Sequence, residues 1–364
     1  MSGHLVVMAG GTGGHIYPGL AVARAMRLRG WRVSWMGTPN GMEQKLIDPA
    51  EFPMKSIAFE GIVGRGIAAK LRLPLLLWRA VSEAKQFFRA SEVDAVIGMG
   101  GYPTVPGGIA ASRLGVPLLI HQSDAVAGLA NRMLSRFAAR VLTGFDSTFQ
   151  ALTSKRVVTG NPIRDEVVAQ RPPAERFAGR TGVLKILVMG GSRGAEALNK
   201  VIPEAIALMD SASRPAVLHQ AGSNAAGSAE RYRALGIDAD VREFLSDAWN
   251  ALAAADVFIG RSGASTVSEL ASIGVASILV PYPHHKDQQQ LHNARVLESK
   301  GGAIILQQAD LSAATLAKQI SALNRDTLQK MAIAATQAAA PDATKKICDE
   351  IEAVARAGNA GASA

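Results

Sequence analysis

A single cysteine, Cys348, stands in this chain of 364 residues. No internal disulfide can form, and a reducing compartment is expected. Cys348 falls inside a helical pattern near the end, which favours a structural role over a nucleophilic one. No apolar stretch approaches the ~18 to 20 residues that a bilayer span needs. The first strand-like run begins within about four residues of the start, so no signal peptide is expected. No G-K-[ST] follows any glycine-rich turn, which excludes a P-loop. Acidic residues are the scarcer sign: 30 Asp and Glu against 39 Lys and Arg leave a net charge of +9. That excess calls for an anionic partner, which can be nucleic acid, phospholipid or a phosphorylated substrate. Aromatic residues make up only 5%, too few to interleave with the basic ones as a stacking platform, so a nucleic-acid partner is disfavoured.

What is present is apolar and periodic. With 48% hydrophobic and 19% charged residues the composition is globular, and the length predicts two domains. Strand-like runs ("HLVVMA", "WRVSWMG", "DAVIGMG", "VPLLIH", "KILVMGG", "PAVLHQAG", "DVFIGRSG", "VASILVPY") alternate with longer helical patterns, which implies α/β architecture with parallel sheets covered on both faces. A repeat sharpens this. "LVVMAGGTGG" at 5–14 has a counterpart in "ILVMGGSRGA" at 186–195, and the block from Asp94 matches the block from Asp256. Two Rossmann-like domains follow, here bounded at 1–163 and 164–341. The Pro-, Gly- and Arg-rich "TGNPIRDEVVAQRPPAERFAGRTG" reads as a linker with a hinge at Asn161–Pro162. A last helix at 342–358, with Ile347, Ile351 and Val354 on one face, is expected to return to the first domain, and "GNAGASA" after it to be disordered.

Four glycine-rich turns join strands to helices: "GGTGGH", "GMGGYPTVPGG", "GGSRGA" and "GRSGAS". Without Cβ atoms such a backbone approaches phosphate closely, and its amides and the helix dipole face the anion. The first turn is not a dinucleotide fingerprint: Ile16 replaces the third glycine, and the second strand ends in Gly37 where an acid should hold a ribose. The second half carries the better nucleotide signal. Gly263 and Ser265 open a helix in "RSGASTVSEL", and Glu269, a turn further on, can accept from two ribose hydroxyls or can simply be solvated. Ser192 can donate to a diphosphate or cap its helix. "YPHHKDQQQLHNA" supplies amides suited to sugar hydroxyls; a zinc site at His284 and His285 is disfavoured. The only D-x-D, Asp238 to Asp240, precedes a strand and reads as a solvated turn.

Together, "GGTGGHIYPGLAVA", "GMGGYPTVPGG", "GNPIR", "GGSRGAEALN", "RSGASTVSELA" and "HKDQQQ" resemble the MurG family over nearly the whole chain. That family transfers N-acetylglucosamine from UDP to undecaprenyl-pyrophosphoryl muramoyl-pentapeptide, converting lipid I to lipid II. The resemblance implies the GT-B fold, two Rossmann-like domains facing across a cleft, with the acceptor and the membrane served by the first domain and the UDP-sugar by the second. It implies donor contacts at Thr12, Gly13, Gly14, Arg164, Ser192, Phe244 (stacked on uracil), Leu245 (through its backbone), Ala264, Ser265, Thr266, Val267, Ser268, Glu269, Gln289 and Gln290. Three departures stand out. The family's "HEQN" is "HQSD" here, so Asp124 replaces an asparagine facing the donor sugar; "GGSQGA" is "GGSRGA", which sets Arg193 beside the diphosphate; and "HKDRQQ" is "HKDQQQ", one cation fewer.

Inversion at the anomeric carbon implies one in-line displacement, with negative charge growing on the leaving diphosphate. Glycine turns opening helices, with Ser192 and Arg193, can stabilise that charge at roughly 0.3 to 1 kcal/mol per helix terminus, so no metal and no cofactor is expected. The attacking hydroxyl needs a base. Gln122 replaces the family's glutamate, and His15 is the candidate because histidine suits proton transfer near neutrality; a helix-capping role is the alternative. Gly100, Gly101 and Tyr102, with the first loop, are expected to cradle the acceptor's pyrophosphate. The segment 62–89 sets Arg65, Lys70, Arg72, Arg79, Lys85 and Arg89 beside Ile67, Leu71, Leu73, Leu75, Leu76, Leu77, Trp78 and Phe87. It suits either an anionic membrane surface, at the cytoplasmic face of the inner membrane and peripheral to it, or packing on its own sheet. Rival readings are a UDP-sugar 2-epimerase-like isomerase of the same fold and a non-catalytic sugar-nucleotide sensor.

Overall fold

The computed structural model describes residues 3–59, 67–191, 194–285 and 287–362, with backbone only at 67–71 and 359–362. The chain divides into two compact units, Met1–Ile163 with Ala340–Ala364, and Arg164–Ala339. The first unit holds strands β1 (His4–Ala9), β2 (Arg32–Gly37), β3 (Met54–Ser56), β4 (Ala95–Gly100), β5 (Leu118–Gln122), β6 (Arg140–Thr143) and β7 (Arg156–Val158). The second holds β8 (Lys185–Met189), β9 (Ala216–Gln220), β10 (Ala239–Arg242), β11 (Val257–Gly260), β12 (Ser277–Leu279) and β13 (Ala303–Ile305). The sheet orders are β3-β2-β1-β4-β5-β6-β7 and β10-β9-β8-β11-β12-β13, and every pairing is parallel. Both units are Rossmann-like, as the repeat implied.

Burial on two faces explains the apolar runs. Along β1, Leu5, Val7 and Ala9 pack into one core, with Ile16, Val22 and Met26 of the helix Gly13–Leu28 and with Ile347, Cys348 and Ile351 of the helix Ala343–Ala362. Val6 and Met8 enter the opposite core with Ala80, Val81, Ala84 and Phe88 of the helix Ile67–Ala90. The second sheet buries Ile186 and Val188 against Leu198, Ile202 and Ile206 of the helix Glu196–Ala207. The Cys348 thiol is fully buried, and burial pushes its pKa up to about 11, which suits a structural residue.

The repeat extends to a hydrogen-bonded lock. Asp94, ahead of β4, donates its amide to the His4 carbonyl (3.0 Å) and accepts from the His4 amide (2.7 Å). Asp256, ahead of β11, does the same with Lys185: 2.8 Å to its carbonyl and 2.8 Å from its amide. Each aspartate thereby sets the start of the strand that opens its half. In the second unit the fully buried Asp256 carboxylate also takes Arg180 at 2.6 Å and Arg325 at 3.3 Å.

Three expectations need correction. The segment expected as a linker holds the boundary between the units, after Ile163, but part of it is helical within the second unit, at Asp165–Val168 and Pro173–Phe177. Arg176 anchors it by donating to the carbonyls of Ala253 (2.9 Å), Ile273 (2.8 Å) and Gly274, and burial lowers its pKa to about 10. Asp240 lies within β10, paired with Arg242 at 2.6 Å, and not in a turn before the strand. The final helix runs to Ala362, through most of the tail expected to be disordered; a helix already nucleated by core packing propagates cheaply.

Candidate active site

In open parallel sheets ligands bind beyond the carboxyl ends of the strands, where chain order reverses. In the first unit that point lies between β1 and β4, in the second between β8 and β11. The four glycine turns singled out in the sequence are the loops that leave these four strands.

At the first edge the Gly10 amide donates to the Gly100 carbonyl at 3.2 Å. The approach depends on glycine: a Cβ on Gly101 (φ +86) would sit 2.2 Å from the Gly10 carbonyl oxygen, and one on Gly100 (φ +123) 2.6 Å from Cδ2 of His15. His15 is therefore stacked against the Gly100 backbone. It is not the cap of its helix: Thr12 holds that position, and the Thr12 carbonyl accepts from the amides of His15 (3.1 Å) and Ile16 (3.2 Å). The His15 Nδ1 lies 3.4 Å from the Gly10 carbonyl oxygen, so Nδ1 carries the proton in that contact and Nε2 is left as the basic nitrogen. Thr12 and Gly14 are exposed, Gly13 is half-buried, and Tyr102 is exposed just ahead of the helix Thr104–Leu114.

The same edge holds two residues that pattern alone did not single out, His121 and Glu43. His121, at the end of β5, is fully buried with Nε2 donating to the Gly160 carbonyl (3.1 Å). Burial holds its pKa down at about 4; the Gly160 bond opposes this and a charge on His15 adds to it, so His121 stays neutral. Gln122 accepts from the Gly128 amide (3.1 Å) and the Asn131 side chain (2.9 Å), which shapes the loop carrying the half-buried Asp124. Glu43 is fully buried and accepts from the amides of Gly11 (3.2 Å) and Thr38 (2.6 Å) and from the Thr38 hydroxyl (2.8 Å). The Gly11 amide is thus committed internally.

At the second edge, the helix Ala264–Ile273 opens on Gly263 with no side-chain cap, so the first-turn amides are open to an anion. Ala264 and Val267 face the core; Ser265, Thr266, Ser268 and Glu269 are half-buried. Burial raises the Glu269 pKa, and the Arg164 cation opposes the shift. Arg164 in turn lies over the Trp249 ring at 5.5 Å. Beyond β10, Phe244 is 67% exposed while Leu245 is buried; a large aromatic left in solvent is a ready stacking surface. Gln290 commits its side-chain oxygen to the amides of Ser262 (3.3 Å) and Tyr282 (2.9 Å), and Gln289 donates to Asp287 at 3.0 Å. Arg261, unremarked in the sequence, ties the loop after β11 to the carbonyls of Val280 and Pro281 and to Gln308; burial lowers its pKa. Ser192, Arg193 and Lys286 lie outside the described residues. His284 and His285 pack edge-on against Tyr282, and among the described residues no group of three or more His, Cys, Asp or Glu is placed to hold a metal ion.

The helix Ile67–Ala90 divides its surface. Ala80, Val81, Ala84 and Phe88 are buried on the sheet, while Leu75, Leu76 and Trp78 are exposed, Trp78 by 63%. Arg65 lies outside the described residues, as do the side chains of Ile67, Lys70 and Leu71. No helix among the described residues is long and apolar enough to cross a membrane.

Comparison with known proteins agrees with this arrangement. Residues 5–143 match the glycosyltransferase family 28 N-terminal domain and residues 185–347 its C-terminal domain. A UDP-N-acetylglucosamine--N-acetylmuramyl-(pentapeptide) pyrophosphoryl-undecaprenol N-acetylglucosamine transferase of Bordetella petrii is 46% identical over 97% of this chain and 98% of its own. The crystal structure of Acinetobacter baumannii MurG is 35% identical, with a TM-score of 0.84, over 96% of this chain and 99% of that one. A UDP-GlcNAc 2-epimerase of Neisseria meningitidis, 12% identical with a TM-score of 0.66 over 95% and 98%, shares the fold alone. The chain belongs to glycosyltransferase family 28, and within it to the MurG family.

Proposed function

We propose that this chain is an inverting N-acetylglucosaminyltransferase, moving N-acetylglucosamine from UDP-N-acetylglucosamine to the C4 hydroxyl of undecaprenyl-pyrophosphoryl-N-acetylmuramyl-pentapeptide, the step from lipid I to lipid II in peptidoglycan synthesis. The observation that carries the reading is the paired construction of two sheet edges, each with glycine turns at its reversal point, in a chain similar over nearly its full length to transferases of that name. In this reading the second unit binds the donor. Phe244 stacks on uracil beside the Leu245 backbone, Glu269 accepts the ribose hydroxyls, and the amides from Ala264 onward hold the diphosphate with Ser192. Arg164, Gln289 and Gln290 complete that site, and the Asp124 carboxylate and the Thr12-Gly13-Gly14 turn meet the transferred sugar. The first unit binds the acceptor's pyrophosphate at Gly100, Gly101 and Tyr102.

His15 acts as the base. With Nδ1 directed to the Gly10 carbonyl, Nε2 takes the proton of the attacking hydroxyl as the sugar–phosphate bond breaks. The helix-terminal amides stabilise the negative charge that grows on the departing UDP. The exposed Leu75, Leu76 and Trp78, with Arg72, Arg79, Lys85 and Arg89 on the same helix, lie against the anionic cytoplasmic leaflet of the inner membrane, each nearby cation contributing about 1 kcal/mol.

Incubation with radiolabelled UDP-N-acetylglucosamine and lipid I tests the reading. Label is expected in the lipid phase; free sugar without a lipid requirement would indicate the isomerase, and binding without turnover the sensor. His15→Ala should lower turnover by about 10²- to 10⁴-fold with donor binding intact, and unchanged turnover rejects His15 as the base. Flotation with anionic vesicles should be salt-sensitive.

A further inference from the structure

We infer that Glu43 is a positioning residue for the transfer, a buried carboxylate that holds the turn after β1 in the shape that aims His15. The inference rests on the reading of His15 as the base. Glu43 is 0% exposed, and a carboxylate is not buried without compensation. Its donors come from two separate loops: the Gly11 amide at 3.2 Å from the turn after β1, and the Thr38 amide (2.6 Å) and hydroxyl (2.8 Å) from the segment after β2. The room it occupies is cut from glycine. A Cβ would fall 2.7 Å from its carboxylate oxygen at Gly10, 2.6 Å from its Cγ at Gly37 and 2.1 Å from its carboxylate oxygen at Gly41. In dinucleotide-binding folds, an acid at the end of this second strand reaches outward to a ribose. Here the acid comes from six residues beyond Gly37 and turns inward, so its charge serves the protein's own backbone.

The consequence runs through the Gly10–Gly11 peptide group. Glu43 fixes the Gly11 amide, in a turn where Gly11 takes φ +88. The Gly10 carbonyl shares one planar peptide group with that amide and accepts from His15 Nδ1 at 3.4 Å, and the Gly10 amide is fastened to Gly100, against which the His15 ring is stacked. Releasing the Gly11 amide lets the Gly10 carbonyl turn, and with it the contact that sets the orientation and tautomer of His15.

Glu43→Gln tests this, because its amide group can keep the Thr38 donors only by presenting an N–H towards the Gly11 N–H. The expected result is a kcat lower by on the order of 10- to 100-fold, with the Kd of UDP, which lacks the sugar that meets this turn, unchanged. In the His15→Ala background the same substitution should cost nothing further, since both act through one imidazole. Glu43→Asp, which keeps the charge but not the reach to Gly11, should show the same split and serves if Glu43→Gln does not fold. Equal losses from Glu43→Gln with and without His15 would overturn the inference, as would wild-type kcat per folded molecule. If His15→Ala itself retains full turnover, the base assignment has failed instead, a result read from that single variant alone.

Discussion

Replacing Asp256 by alanine should be among the most costly single changes in the second unit. Its carboxylate, fully buried, accepts from Arg180 at 2.6 Å, from the Lys185 amide at 2.8 Å and from Arg325 at 3.3 Å. Each short bond to a charged group is worth about 1.5–3 kcal/mol, so two give about 3–6 kcal/mol. Part of this is recovered. Arg180 keeps the carbonyls of Ala253 and Ala255, Arg325 keeps those of Gly182 and Val183, and the two side chains are 17% and 22% exposed, so neither cation is stranded without solvent. A net loss of about 3 kcal/mol follows, within the range for opening a buried pair. Asp94→Ala is the internal control: the half-buried Asp94 makes the same backbone bond to its strand but takes no arginine among the described residues, and its loss should cost only about 1.5 kcal/mol, the low end for one bond to a charged group. Urea unfolding of the full chain, followed by circular dichroism, measures both. UDP affinity below the transition should hardly move, because Asp256 sits at the amino end of β11 and the loops proposed to bind the donor at its carboxyl end. Equal losses for the two variants, or less than about 1 kcal/mol for Asp256→Ala, would refute the reasoning.

Two further outcomes concern the donor. Phe244→Ala should weaken UDP binding by about 1–3 kcal/mol, the worth of stacking one base, and leave stability unchanged, since the ring is mostly exposed; calorimetry would read the first and thermal melting the second. Burial raises the Glu269 pKa above its ordinary 4.5, so between those values the folded state binds the extra proton. Stability therefore declines as pH rises through that window, and the penalty is complete above the folded pKa. In the proposed donor site UDP affinity should run the other way, because ribose hydroxyls would donate to the carboxylate. Affinity should fall as pH drops through the folded value, and Glu269→Gln should flatten that dependence in calorimetric titrations; a variant that keeps the slope assigns it elsewhere.

Much of the fold was legible because the signals are local and occur twice. An apolar run followed by a glycine turn and a helix marks β1 and β8 alike, and the blocks opening at Asp94 and Asp256 marked the partner strands. The function of those aspartates was not legible, since an Asp ahead of a strand looks like any turn residue until its distant strand is known. The linker composition located the boundary between the units but hid the anchoring of its second half, since Arg176 is held by carbonyls 77 and 97 residues away. Glu43 is an ordinary surface letter in "NGMEQKL", and only the glycines at 10, 37 and 41 hinted at a side chain needing space. His121 sits in a motif weighed for its neighbour Gln122, and its burial comes from tertiary packing that no spacing encodes.

The lone thiol has a practical consequence. Cys348 lies in the core between the first sheet and the final helix, with its ionisation suppressed, so alkylating reagents reach it only when that helix lifts or the unit opens. The rate at which a maleimide consumes this one sulfur is therefore a stopwatch for that opening, readable by mass spectrometry without adding a probe to the chain.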